Sequence, residues 1–347
     1  MSASERSAAW RTGREMARAY HREVVRPLLE RSMPGLAYAA GRLGTGSDVL
    51  GYDDPQSADH DFGLRMTLLV EDGWAQEVDS LLERALPPTH HGMPTRFAMT
   101  GDPRVRHRCE VASARDLAVE RLGVDPSGPM SLADWRSLTG QSVLELTAGP
   151  VFHDGTGAIT AIRETLTWYP RDVWLHALAA DWSRLGQEMP DVGRAGLRGD
   201  EDGSAVIAAR HVRTILHLAH LIHRRWPPYG KWLARSAAQL PGGQELRGIL
   251  LGILRSTHWQ ERQELLAGAL EQLAAAQSRM GLPVLLPATE AFFDRPHIGV
   301  REIAEELHQA IEDPAVRAIP CGIGTAEQIS DNVTVLVDPA RRRHLVA

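Results

Sequence analysis

Cysteine is nearly absent. Cys109 and Cys321 are the only two in 347 residues, too few and too far apart for a disulfide framework or a thiolate zinc site. Their scarcity points to a reducing compartment, and a cytoplasmic location is expected. No stretch approaches the ~20 apolar residues that span a bilayer. The opening MSASERSAAWRTGREMARAY mixes charges of both signs and has no apolar core of signal-peptide length, so neither a leader nor a membrane segment is expected. Excess positive charge is also missing: 38 Lys and Arg against 44 Asp and Glu leave a net charge of −6. That balance argues against a polymerase or a tRNA enzyme, which presents a basic surface, and favours a small substrate over nucleic acid. Internal repeats and low-complexity tracts are lacking, and ARRRHL at the end is a short basic tail. What remains, 43% hydrophobic and 24% charged residues, is the composition of an ordinary globular protein long enough for two domains.

The informative stretch is GTGSDVLGYDDPQSADHDFGLRMTLLV, Gly44 to Val70. From Asp59 onward residues alternate in type. Asp59, Asp61, Gly63, Arg65 and Thr67 fall on one face of a strand, and His60, Phe62, Leu64, Met66, Leu68 and Val70 on the other. Strand rise would hold Asp59 and Asp61 roughly 6.6 Å apart with parallel side chains. Two such carboxylates suit a pair of Mg²⁺ ions about 3.5–4 Å apart, and hard oxygen ligands favour Mg²⁺ over zinc. His60, out of phase, is expected to face away. Gly44, Gly46 and Gly51 bracket Ser47, allowing a tight turn whose N–H groups approach an anion. The turn lacks the Lys-Ser/Thr of a P-loop and the glycine spacing of a dinucleotide fingerprint.

Gly46, Ser47, Asp59 and Asp61 resemble the nucleotidyltransferase superfamily of the DNA polymerase β type, with its Gly-Ser turn followed by an Asp-x-Asp strand. GRLGTGSDVLGYDD, SADHDFG, DWSRLGQE and YGKWLARS look like the bacterial branch catalogued as domain of unknown function 4037. Its layout is similar to that of the aminoglycoside and lincosamide adenylyltransferases. The resemblance implies an α+β nucleotidyltransferase domain (mixed sheet with helices) followed by an all-α helical bundle, and Mg²⁺-dependent transfer of AMP from ATP to a hydroxyl of a small acceptor. The choice of ATP rests on the resemblance alone. Lys231 occupies the family's Tyr-x-Lys-Trp position, where a cation closes on the triphosphate.

The rest of the chain fits this layout. A helix is expected over residues 4–31, a strand over 36–40 leading into the glycine turn, a helix over 74–86, a strand over 105–111, and a hairpin or strand pair over 151–168. From Asp172 onward the period is helical, over 173–187, 204–225, 231–240, 246–256, 260–280 and 301–311. The domains are expected at 1–168 and 169–347. Two-metal transfer calls for a third acid on a neighbouring strand, as metal ligand or base. Glu110 is the first choice, set against pairing with Arg106 or Arg108. Asp53 and Asp54 are alternatives that ordinary turn chemistry also explains. Arg42 and Arg65 are weaker phosphate candidates, and Arg65 also has Asp61 as an ion-pair partner. The acids Asp181, Glu188, Asp200, Glu201 and Asp202 suit a cationic substrate or solvated faces. His90-His91 does not have zinc spacing, and Trp174, Trp182, Trp226, Trp232 and Trp259 read as core. Two rival functions stand. One is a His-Asp metal phosphohydrolase on His60-Asp61, which needs that doublet on a helix. The other is a degenerate nucleotide-binding regulatory or toxin-system protein.

Overall fold

The computed structural model describes residues 11–58 and 61–347. Asp59, His60 and the beginning of the expected first helix lie outside the described residues. Packing divides the chain into two units: Met1–Met130 with Ser142–Thr167, and Ser131–Gln141 with Trp168–Ala347.

The first unit is built on a five-stranded mixed sheet of order β5-β6-β2-β1-β7. Its strands are β1 (Tyr38–Gly41), β2 (Arg65–Val70), β5 (Arg96–Met99), β6 (Asp102–Ala112) and β7 (Val151–Asp154), and a small hairpin pairs β3 (Thr89–His90) with β4 (Met93–Pro94). β2 runs parallel to β6, with Thr67 opposite Glu110, and antiparallel to β1. Alternation along β2 sends Leu64, Met66, Leu68 and Val70 into the core, where they join Cys109 of β6 and Val78 and Leu82 of the helix Ala75–Ala85. The helical segment Gly13–Tyr20, opened by a Thr12/Glu15 capping box, adds Met16, Ala17 and Tyr20 to the same core. Burying a side chain such as Leu68 contributes about 1.5–3 kcal/mol. That segment continues through a π turn, His21–Val25, into the helix Arg26–Ser32.

Two expectations fail in this unit. β2 begins at Arg65, and Asp61 lies in a bend with φ of 53°, so the alternation does not reach back to Asp61. Aspartate is a poor strand former that tolerates the left-handed region, and the Thr100 N–H donates to Asp61 Oδ1 at 2.6 Å to hold it there. The Asp61 bend is not helical, and His60, the other half of the His-Asp doublet, lies outside the described residues. The second failure is the hairpin over 151–168. β7 is followed by the helix Ala158–Thr165, because Asp154 accepts from the N–H groups of Gly157 and Thr160 and so opens a helix. The helix Ala114–Leu122 of this unit, Leu132–Ser137 of the second and Gly140–Thr147 at the division have no counterpart in the expectations from sequence.

The second unit is helical apart from a hairpin, β8 (Thr289–Ala291) with β9 (Ile298–Val300). Its principal helices are Arg171–Gly196, Glu201–Ile222, Gly230–Ala237, Gly243–Arg255, Trp259–Arg279 and Ile303–Gln309. Indole N–H groups tie them together: Trp174 donates to the Leu221 carbonyl and Trp182 to Gln277 Oε1, each at 2.8 Å. Gly196 is a point of close helix approach, since a Cβ there would stand 2.2 Å from the Trp259 ring. Trp226 is buried with these indoles, whereas Trp232 is half-buried. Among the described residues no helix is long and apolar enough to cross a membrane.

Candidate functional site

The face of β2 and β6 turned away from the core borders a cleft of about 800 Å³, whose lining includes Arg42, Thr45, Arg65, Thr67, Glu110 and Arg121. Over its edge stands the glycine turn. Gly44 and Gly46 both take positive φ, 82° and 134°. At Gly46 a Cβ would also stand 2.2 Å from Asp48 Oδ1, so only glycine fits there.

Arg42 holds the turn from within. It is 2% exposed and grips Asp48 with two hydrogen bonds, Nε to Oδ2 at 2.6 Å and Nη2 to Oδ1 at 2.9 Å. Its remaining donors bind the carbonyls of Leu43 and Thr45. This candidate phosphate ligand therefore spends its donors on the turn itself. The N–H groups of Thr45, Gly46 and Ser47 have no hydrogen-bond partner among the described residues, which leaves three successive donors for water or an anion. The Ser47 hydroxyl bonds to that of Ser57 at 3.3 Å.

Glu110 projects from mid-β6 toward the same turn, its Oε2 lying 3.4 Å from where a Gly44 Cβ would be. Its partner is Arg121, on the helix Ala114–Leu122, because Arg106 and Arg108 are taken by Asp79 and Asp102. Burial pushes the Glu110 carboxyl above the usual range, against the pull of Arg121. Arg65 donates to Thr45 and to the Asp61 carbonyl, rather than to the Asp61 carboxylate. Burial, reinforced by the Arg42 charge, brings Arg65 down to about 10, so it is still a cation at neutral pH. Asp53 accepts from the Gly13 N–H, and Asp54 accepts from the N–H groups of Gln56 and Ser57. Asp54 thus does turn work, and Asp53 ties its loop to the start of the helix Gly13–Tyr20. Lys231 sits in the first turn of Gly230–Ala237, exposed, with Nζ 4.9 Å from the centre of the Trp232 ring.

Arg121, Asp48 and Thr45 take part in the site without having been singled out from sequence. Arg121 had a legible signal: Ser113-x-x-Asp116 is a helix-start pattern, and Ser113 Oγ indeed accepts from the Asp116 N–H at 3.0 Å. Asp48 had none, because its pairing with Arg42 depends on the turn's shape.

Residues 135–233 match the family described as "Domain of unknown function (DUF4037)". The match takes in the Asp181 segment and Lys231, and leaves out the glycine turn and both aspartates, a narrower span than the resemblance read from sequence. No curated protein matches the chain. One solved structure, a nucleotidyltransferase-like protein from Exiguobacterium sibiricum 255-15, is 11% identical with a TM-score of 0.33, covering 77% of this chain and 78% of its own. That likeness is too slight to carry an argument.

Proposed function

We propose that the chain is a Mg²⁺-dependent nucleotidyltransferase that moves AMP from ATP onto a hydroxyl of a small acceptor, releasing pyrophosphate, with its chemistry in the first unit. The observation that carries this reading is the glycine turn, with three N–H groups that have no partner among the described residues, and the Glu110 carboxylate set against it. Donors for a phosphate and an acid for the acceptor share one place.

The donor set fits a hard cation. Asp61 gives one oxygen to Thr100 and Glu110 gives one to Arg121, while Asp61 Oδ2 and Glu110 Oε2 accept no hydrogen bond among the described residues. Asp61, with Asp59, would hold Mg²⁺, which when bound neutralises charge on the phosphates. Ser47 and the turn N–H groups hold the β- and γ-phosphates, and Arg65 adds a cation beside them. Glu110, its acidity weakened by burial, takes the proton of the acceptor hydroxyl. The acceptor oxygen bonds to the α-phosphorus as the bond to the bridging oxygen breaks, and pyrophosphate leaves.

The test is ATP labelled at the α-phosphate, incubated with Mg²⁺ and a panel of hydroxyl acceptors. Label should pass to an acceptor with one pyrophosphate per transfer, and Glu110→Gln should slow transfer by about 10²–10⁴-fold. Release of ADP and phosphate instead, or an undiminished rate in Glu110→Gln, would contradict the assignment.

A further inference from the structure

We propose a second metal site in the first unit, formed by Glu23, His90 and His91 and selective for a borderline divalent ion of the zinc type. One ligand atom from each residue can be chosen so that all three lie within 4.8 Å of one another. Glu23 Oε2 is 2.8 Å from His91 Nε2 and 3.6 Å from His90 Nε2. Ligand atoms around tetrahedral zinc stand about 3.3 Å apart, given bonds of about 2.0–2.1 Å. The two observed separations bracket that value, and the two imidazole ligand atoms lie within 4.8 Å of each other. Oε1 of Glu23 is held by Arg22, which aims Oε2 at the imidazoles as an outer-shell partner does.

Three local irregularities meet at this point. Glu23 lies on the π turn His21–Val25, a rare conformation that concentrates at functional sites. His91 takes φ of 48°, uncommon for a side chain of its size, in the turn that brings the two rings to 4.1 Å between centroids. His90 Nε2 is shielded from solvent and has no hydrogen-bond partner among the described residues. Neutral imidazole is the form that binds metal. Two imidazoles and one carboxylate suit zinc, nickel or copper, whereas Mg²⁺ and Ca²⁺ prefer all-oxygen shells.

Adjacent histidines carry no zinc spacing in sequence because their common ligand, Glu23, is 67 positions before the first of them. With three protein ligands the fourth position is left to water or to a further ligand.

The site is tested on the full chain, stripped with chelator and kept in excess Mg²⁺ so that hard-oxygen sites are filled, by calorimetric titration with Zn²⁺. One equivalent should bind, and Glu23→Gln or His91→Asn should weaken it by about a hundredfold. Asparagine tolerates the backbone of residue 91, and unchanged zinc-free circular dichroism identifies variants that fold. Isotherms identical to the wild type in both variants would overturn the proposal. A reading independent of variants is the absorption of Co²⁺ added to the wild type. Intense visible bands of a four- or five-coordinate nitrogen and oxygen site are expected, and the weak spectrum of the octahedral aqua ion alone would overturn the proposal.

Discussion

Glu110 and Arg121 form a pair in which the guanidinium restrains what burial does to the carboxyl. If Glu110 is the base, the acidic limb of the kcat/KM profile marks its ionisation. Arg121→Gln removes the cation and leaves Glu120 and Glu145 nearby, so both changes favour the protonated acid. The limb should move to higher pH. An unmoved limb would assign the ionisation to another group. At this scale the sequence was legible where a regular strand governs it. Arg65, Thr67 and Glu110 share a face because β2 and β6 alternate in register. Asp61 was misread, since a left-handed residue breaks the period in a way that residue types do not announce.

Buried between helices of the second unit is a histidine flanked by two acids. His217 Nδ1 is 2.6 Å from Asp181 Oδ2, and its Nε2 is 3.4 Å from Glu327 Oε1. Burial alone would favour the neutral ring, yet the two carboxylates override it and raise His217 to about 10. Tyr169, whose own acidity is suppressed by burial and then by Glu327 and Asp181, completes the set. A histidine raised in the folded state contributes stability that is fully present below its unfolded value of about 6.5 and is lost as pH climbs toward the folded value. Chemical unfolding of the full chain between pH 6 and pH 10 should therefore show a loss on the order of a few kcal/mol that is absent in His217→Gln. Equal slopes in both proteins would mean that the ring is neutral throughout. Asp181 was read from sequence as an acid for a cationic substrate or on a solvated face, but it is buried and binds His217 and Gln328. The helices around it were legible from their 3.6-residue period. The partnership was not, because Asp181, His217 and Glu327 are brought together only by tertiary packing.

Across the whole molecule, the chain does not divide at one cut. Ser131–Gln141 packs with the later residues, while Ser142–Thr167 returns to the first unit and supplies β7 to the sheet. A boundary drawn where the period turns helical misses this, since periodicity reports local structure and not which unit a segment joins. The family match at 135–233 falls largely on the second unit, whereas the proposed chemistry falls on the first, in the cleft beside the glycine turn. The most direct test of that placement is a crystal structure of the full chain with Mg²⁺ and a non-hydrolysable ATP analogue. The account predicts β- and γ-phosphates on the N–H groups of Thr45 to Ser47 and a metal on Asp61, with Glu110 facing the α-phosphate. Phosphates bound elsewhere, or a nucleotide at the turn with its metal away from Asp61, would contradict it.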